Sequence, residues 1–371
     1  MKQADINKIV KYSGIAISIL VFILLVWKFT FIVWYIVAAA VISFIGAPLV
    51  KLFKKIKFGK KKKVFPSWLA AALSLLIIII VAASLIAVFV PVIIKQANVI
   101  ASIDFNQVKH YIEEPVSEFL HQYNIIDKNE SIITVIENRF KSFIDIASLS
   151  HLASSFIGRL GKIIMGVFST IFIAFFFLKD DTLFQKMIMI FVPQKYNEKV
   201  HHALNNIKRF LTRYFIGLIC QMFIMFTLES IGMFAIGVKG ALLIGAVGGF
   251  CNMIPYLGPI LGGAFGVIVC TIQLISIGAY DQILLQAILV VAVFALCNFI
   301  DNTVLQPVIY SNSVNAHPLE IFLVLLVFGS VGGIFAMFLA VPGYTVLKVI
   351  AKEFLSKFEI ARKWTSQLEI E

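Results

Sequence analysis

Ionisable and amide side chains recur at helical spacing inside otherwise apolar stretches of this sequence. One stripe, at steps of four residues, contains Arg213, Gly217, Gln221, Met225 and Glu229. A second, at i, i+3, i+4 and i+8, contains Asn298, Asp301, Asn302 and Gln306. Each spacing places its members on one face of a helix. Carboxylate and amide groups in that arrangement could bind a cation, take up a proton, bind a polar solute, or join two helices.

The two carboxylates are the leading candidates for functional residues. An aspartate at the centre of a membrane-spanning helix costs about 2.5 to 3.5 kcal/mol on insertion scales, so a buried carboxylate must face a partner or water. Asp301 and Glu229 therefore predict a binding site or a transport pathway. The structural alternatives are an interhelical hydrogen bond for Asp301 and a position at the outer interface for Glu229.

Two prolines interrupt the apolar segment Asn-Met-Ile-Pro-Tyr-Leu-Gly-Pro at residues 252–259. Pro255 and Pro259 each remove a backbone donor and disturb the hydrogen bond of the carbonyl four residues earlier, which predicts a broken or re-entrant helix. Polar backbone groups at membrane depth are tolerated against protein or a water-filled cavity, and transporters build binding sites from them. A proline kink with its polar groups satisfied by neighbours is the alternative.

Glycines follow the prolines at every fourth position. Gly258, Gly262 and Gly266 leave one helix face without side chains. This pattern favours close helix packing, with a sliding or hinge surface as the alternative.

His317-Pro318-Leu319-Glu320 is typical of a helix start. Proline is favoured in the first turn, and glutamate there meets the positive end of the helix dipole. Helix capping accounts for the pattern. A proton-responsive His317 at the mouth of a pathway is the alternative.

Signatures of enzymes and metal sites are absent from the sequence. There is no HExxH motif, no GxSxG motif and no Walker A loop. The four cysteines form no CxxC pair and the histidines are scattered or adjacent, so we expect no metal site, no disulfide framework and no cofactor. The chain is therefore predicted not to be an enzyme.

Composition identifies the elements that must position these residues. Of 371 residues, 60% are hydrophobic and 14% are charged, and the mean hydropathy is +0.96. Such a chain has too little polar surface for a water-soluble globule. The nearly unbroken apolar run 75–90 favours helices over barrel strands. We predict an all-α integral membrane protein with about eight transmembrane helices.

The predicted crossings are two helices within 12–50, separated by a turn near Lys28 and Thr30, followed by 66–94, 156–178, 214–236, 240–277, 283–309 and 319–350. Three parts result. Residues 1–95 hold N-terminal membrane helices with a basic cytoplasmic loop, and the net acidic segment 96–150 is expected to form a small external helical lobe. The transport core is expected in 151–371, and it includes amphipathic cytoplasmic helices at 182–213, which lie on the membrane surface or pack under the bundle.

The net charge of +12 has a topological explanation. Lysines crowd into one short loop, at Lys51, Lys54, Lys55, Lys57 and Lys60 to Lys63. Basic loops are retained on the cytoplasmic side, which predicts that both termini are cytoplasmic. The basic loop is also expected to attract anionic lipid headgroups, and no nucleic-acid partner is expected.

The C-terminal half resembles the autoinducer-2 exporter family of bacterial membrane proteins. The resemblance rests on Ile254–Pro259 (IPYLGP), Asp301–Pro307 (DNTVLQP) and Ser313–Pro318 (SVNAHP), the last followed by a glycine-containing apolar helix that closes at Ala340-Val-Pro342. The N-terminal half is similar only in layout. The family more often has Glu where Asp301 stands, so this chain keeps the carboxylate with a shorter reach.

The resemblance implies about eight spanning helices, a homo-oligomer in the bacterial cytoplasmic membrane, and secondary transport. Members are linked to export of the quorum-sensing signal autoinducer-2 and to sodium–proton exchange. The first functional hypothesis is therefore export of a small polar solute such as autoinducer-2. A sodium (cation)/proton antiporter is the second, and a non-transporting scaffold that binds a partner through its external lobe is the third. The candidate pathway residues are Asp301, Asn302, Asn298, Gln306, Glu229, Gln221, Pro255, Gly258, Pro259 and His317.

Overall fold

The computed structural model describes Leu24 and residues 28–58, 63–101, 146–307, 316–356 and 358–365. These ranges are helical apart from short connections and one two-stranded hairpin, which confirms the predicted all-α membrane fold. The first predicted crossing, most of the expected external lobe, and Ser313-Val-Asn of the third motif lie outside the described residues.

Seven helices in the described ranges are long and apolar enough to cross a bilayer. They are Thr30–Lys55, Ser67–Ala87, Leu160–Lys179, Gln194–Ala235, Leu257–Ser276, Tyr280–Leu305 and Leu319–Leu355. Two compact units divide the chain, one within 1–78 and 159–188 and the other within 79–158 and 189–371.

The first unit is built on small side chains at helix contacts. It contains α1 (Thr30–Lys55), a hairpin of β1 (Lys57–Phe58) and β2 (Lys63–Val64), the start of α2 (Ser67–Ala101), the later part of α3 (Ile146–Lys179), and most of α4 (Leu183–Met189). Its buried core includes Ala39, Ala70, Ala71 and Ala174. A Cβ at Gly46 would lie 2.8 Å from Leu178 and 3.1 Å from Ile78, so this glycine lets α1 approach both neighbouring helices.

An aspartate organises the turn between α3 and α4. Asp180 Oδ1 accepts bonds from the Thr182 backbone N–H at 3.0 Å and the Thr182 hydroxyl at 2.7 Å, and Lys186 Nζ lies 3.1 Å from Oδ2. These bonds, chiefly those from Thr182, lower the pKa of Asp180 from about 3.8 to about 2. The ionised carboxylate thus stabilises the start of α4.

Replacing Asp180 by asparagine is expected to destabilise this turn modestly, by less than about 1 kcal/mol because the pair is exposed. The folded-state pKa lies below the unfolded value. The stabilisation is therefore present above about pH 4 and is lost as the pH falls towards about 2. Hydrogen exchange of the α4 amides should be faster in Asp180→Asn than in wild type at pH 6, and the difference should vanish at the acid end. Asp181→Asn, which keeps the Asp180 bonds, is the matched control; equal exchange in both variants would contradict the prediction.

The second unit begins with one very long helix. α5 (Asn197–Ala235) has 39 residues and is about 58 Å long, roughly twice the thickness of a bilayer core. The sequence predicted a cytoplasmic segment ending at residue 213 and a separate crossing from 214. Instead, α4 ends before Pro193, and α5 then runs without a break through the predicted boundary, because no proline or turn residue stops it. Its buried face contains Ala203, Ile207, Phe210 and Leu211, as the amphipathic spacing predicted.

The predicted break at the proline motif is present. α6 (Ala241–Cys251) ends just before the motif, and α7 (Leu257–Ser276) starts within it. Gly262 lies against Gly248, and four residues later Gly266 lies against Ile244. Since the contacts run backwards along α6, the two helices form an antiparallel hairpin. With 11 residues, α6 is about 16 Å long and too short to cross a bilayer by itself.

A second hairpin corrects the expected single crossing over 319–350. α8 (Ile283–Ile300) comes before this hairpin and leads into the wider π-helical turn Asp301–Leu305. α9 (Pro318–Leu355) is interrupted at Gly333, whose φ of 63° and ψ of −152° are not helical. The Tyr344 hydroxyl donates to Glu320, although 24 residues of straight helix would separate them by about 36 Å. The apolar stretch therefore folds back on itself at a conformation that only glycine readily adopts.

The last described helix lies against the base of this hairpin. α10 (Glu359–Trp364) brings Trp364 Nε1 to 3.1 Å from the Tyr344 hydroxyl, to which it donates.

Candidate functional site

Asp301 is the most completely bonded carboxylate of the predicted stripes. Its side chain is 1% exposed. Gln221 Nε2 on α5 donates to Oδ1 at 2.8 Å, and Gln306 Nε2 donates to Oδ2 at 2.8 Å. The interhelical bond that the sequence offered as a structural alternative is therefore present. Asp301 joins α5 to the end of α8.

The π-helical turn explains how Gln306 reaches Asp301. In an α-helix, residues five apart point about 140° away from each other. Here the Gln306 backbone N–H donates to the Asp301 carbonyl, which is the i to i+5 bond of a π-turn. The wider turn brings both side chains to one face. Such turns occur frequently at functional sites.

Two asparagines extend this network to the surface of the chain. Gln306 Nε2 also lies 2.8 Å from Asn302 Oδ1, and Asn302 Nδ2 donates to Asn298 Oδ1 at 3.2 Å. Asn302 is exposed, and Asn298 and Gln306 are partly buried. We call these five side chains, Gln221, Asn298, Asp301, Asn302 and Gln306, the Asp301 network. It is a continuous polar route from an exposed amide to a buried carboxylate.

Glu229 differs from Asp301 because it has no hydrogen-bond donor among the described residues. It is 0% exposed, and both carboxylate oxygens are buried without a partner there. Oε2 lies so close to Gly248 on α6 that a Cβ at that position would overlap it. The Asp301 carboxylate is close enough to interact electrostatically with Glu229. Glu229 is therefore buried among the helices of the second unit.

Glycines on both helices of the first hairpin allow α5, α6 and α7 to pack closely. A Cβ at Gly249 would lie 2.7 Å from the Met222 carbonyl oxygen and 2.7 Å from the Phe226 nitrogen on α5. One at Gly262 would lie 2.7 Å from the Gly248 Cα. The close packing predicted for Gly258, Gly262 and Gly266 is thus observed. The partner glycines on α6 were missed, although Gly245-Ala-Val-Gly-Gly249 carries the same signal in the sequence.

The proline motif lies against the second hairpin. Gly258 is buried and Pro255 and Pro259 are partly buried. Tyr256, the residue before α7, has a φ of 65°, and its ring packs edge-on against Phe322 of α9. Ile254 shares a core with Leu325 and Ala340 of α9. The motif therefore contacts α9 through Ile254 and Tyr256, and Gly258 lies against Cys251 and Asn252. The Asp301 network instead joins α5 and α8.

Three other polar residues differ in their surroundings. Asn252 is 2% exposed, and its Nδ2 has no acceptor in the described ranges. Asn252 belongs to the proline motif of the sequence, but no role was predicted for it. His317 is exposed, and its Nδ1 accepts a bond from the Leu319 N–H at 3.2 Å, so it caps α9. Arg213 is exposed and lies beyond the buried part of its stripe. No cluster of three or more His, Cys, Asp or Glu residues that could hold a metal ion occurs within the described part of the chain.

Most of the chain is similar in sequence to known membrane transport proteins. A family model described as AI-2E family transporter matches residues 16–356. "Putative transport protein YueF" of Bacillus subtilis (strain 168) is 29% identical over 318 residues, which are 84% of this chain and 80% of that protein. "Putative transport protein MJ1177" of Methanocaldococcus jannaschii is 24% identical over 251 residues, 66% of this chain and 69% of that protein. The chain therefore belongs to the AI-2E family of transporters and is a multi-pass membrane transport protein.

Proposed function

We propose that this transport protein is a secondary transporter that exports a small polar solute, such as autoinducer-2, along the Asp301 network. The observation that carries the proposal is the buried Asp301 carboxylate bonded to amides on two separate elements. Moving a polar solute out of water requires that its lost hydrogen bonds be replaced. The exposed Asn302 and the buried Asp301 offer donors and acceptors in sequence along one face.

Solute binding at this network has a direct route to a conformational change. Gln221 and Gln306 hold opposite oxygens of one carboxylate, so a solute that competes for either amide weakens the link between α5 and the end of α8. A ligand shifts a conformational equilibrium only by its differential affinity for the two states. Competition for the Asp301 bonds supplies that difference. The sequence contains no Walker A loop, which favours a gradient over ATP as the energy source.

The second candidate is cation/proton antiport. Carboxylate and amide oxygens of Asp301, Asn302 and Asn298 are the ligands that hard cations prefer. The buried Glu229 carboxyl without a hydrogen-bond donor favours this candidate, because a proton is the simplest species that would neutralise it. In both candidate functions, the chain acts as a homo-oligomer in the bacterial cytoplasmic membrane, with both termini in the cytoplasm. The lysines at 51–63 would then contact anionic lipids.

The test compares Asp301→Asn with wild type in sealed liposomes, following autoinducer-2 flux together with internal pH and sodium. Asparagine presents an N–H₂ group to one of the two glutamine donors, so one charge-assisted bond is lost. Such bonds contribute about 1.5 to 3 kcal/mol, which corresponds to a loss of flux of about 10- to 150-fold.

Asp281→Asn is the matched control, because it makes the same chemical change at an exposed aspartate of the same unit. It should transport as wild type does. Wild-type flux in a well-folded Asp301→Asn protein would rule out the proposed site. If deletion of the lobe, residues 96–150, abolished function while Asp301→Asn did not, the scaffold alternative would replace the proposed function.

A further inference from the structure

We propose that Glu229 is a proton-binding site, separate from the Asp301 network, that carries its proton in the packed arrangement of α5, α6 and α7. The inference deepens and rests on the proposed transport function, since it assigns the coupled species. Its structural part concerns one carboxyl group and can be tested without measuring transport.

The two buried carboxylates differ in their hydrogen bonds. Asp301 accepts one amide bond at each oxygen. Glu229 is equally buried, but neither of its oxygens has a donor in the described part of the chain. Leaving an ionised carboxylate unpaired inside a protein costs several kcal/mol, and a neutral acid avoids most of that cost. The two groups are therefore suited to different forms, ionised for Asp301 and protonated for Glu229.

Neighbouring charges also influence which form Glu229 takes. Among the described residues, the ionisable groups that interact with Glu229 from neighbouring elements are Asp301 on the π-turn, Cys251 on α6 and Cys297 on α8. None of these supplies a positive charge. The buried lysine of this unit, Lys348 on α9, lies 5.6 Å from the centre of the Tyr344 ring and interacts with Glu320 instead.

A proton fits this location better than a metal cation. Hard cations require several oxygen ligands at short distance. A Cβ at Gly248 would meet both Glu229 Oε2 and the Phe294 ring, and one at Gly262 would also meet the Phe294 ring. No group of three or more His, Cys, Asp or Glu residues that could hold a metal ion occurs in the described ranges, which include Glu229.

The contact with Gly248 links the proton to helix packing. Oε2 lies against Gly248, and a Cβ at Gly248 would overlap both the carboxyl group and the Phe294 ring. An ionised Glu229 would need water or a donor at this position, which requires α5 and α6 to separate. Proton release is therefore expected to accompany opening of the α5–α6 contact, and proton uptake to accompany its closure.

Infrared spectroscopy of the full-length protein in liposomes tests the protonation state directly. At pH 7, wild type should show the C=O stretching band of a protonated carboxylic acid, and Glu229→Gln should lose it. Asp301→Asn should retain the band. An identical spectrum in wild type and Glu229→Gln in this region would overturn the proposal, whether or not the variant transports.

Labelling with dicyclohexylcarbodiimide provides a second readout. This apolar reagent adds a protonated carboxyl across one of its C=N bonds, and the adduct rearranges to a stable N-acylurea that mass spectrometry locates. Label is expected at Glu229 and should fall as the pH is raised, whereas exposed Glu198 should remain unlabelled. Label on Asp301 rather than Glu229 would also overturn the assignment. If Glu229 is protonated but Asp301→Asn transports normally, the proposed pathway fails while the proton site stands.

Discussion

Gly249→Ala is expected to prevent α5 and α6 from packing together. The added Cβ would lie 2.7 Å from two backbone atoms of α5 and 2.9 Å from a third, the Phe226 Cα. Backbone atoms have no rotamer that relieves the overlap, so the helices must move apart. Overpacking typically costs about 1 to 3 kcal/mol and occasionally more. We expect a value at the upper end, together with loss of transport, because Glu229 lies at the same helix contact.

The control for this prediction is another glycine-to-alanine change in a helix. A Cβ added at Gly161 on α3 would meet no atom within 4 Å, and alanine favours helices by up to about 1 kcal/mol relative to glycine. Thermal unfolding in detergent, followed by circular dichroism, should therefore show a lower midpoint for Gly249→Ala and an unchanged or higher one for Gly161→Ala. Equal midpoints would mean that α5 and α6 are not in the close contact described.

Gly333→Ala should open the α9 hairpin for a different reason. A Cβ at this position meets no atom within 4 Å, so space is not the constraint. The φ of 63° and ψ of −152° are instead costly for any residue with a side chain, by about 1 to 3 kcal/mol. The expected result is a shift towards a straighter helix, with loss of the Tyr344–Glu320 bond and of the contact between Phe328 and Gly343.

Electron paramagnetic resonance distances measure this opening. Spin labels at the exposed positions Leu323 and Leu347, in a background with the four native cysteines replaced, should be close together in the hairpin. They would be about 36 Å apart in a straight helix. Gly161→Ala in the same background should keep the short distance. A short distance in Gly333→Ala as well would show that the turn does not depend on glycine.

Several features of this fold follow from local sequence chemistry. The break before Leu257 was predictable because proline removes a specific backbone bond, and the Asn298–Gln306 stripe because helical spacing fixes which side chains share a face. The π-turn at Asp301 was not predictable from spacing, since it depends on Gln306 finding the buried carboxylate. The same holds for the Gln221 bond, which joins residues distant in the sequence.

The second hairpin could not be predicted from the apolar pattern of its residues. Residues 319–350 are long and hydrophobic enough for one crossing, and hydropathy is the same whether such a helix is straight or folded in half. The glycines at 329, 332 and 333 were visible, but only the backbone angles distinguish Gly333 as the turn. Conversely, the continuity of α5 through residue 213 was missed because a change from amphipathic to apolar character does not by itself end a helix.

The continuity of α5 also has a mechanical meaning. A single helix carries the amphipathic face at Ala203 and Phe210 at one end and Gln221 and Glu229 further along. Over about 58 Å, a tilt of roughly 10° displaces one end by about 10 Å relative to the other. α5 can therefore act as a lever arm. A protein or lipid that binds the amphipathic end of α5 would change the positions of both buried carboxyl groups without contacting either of them.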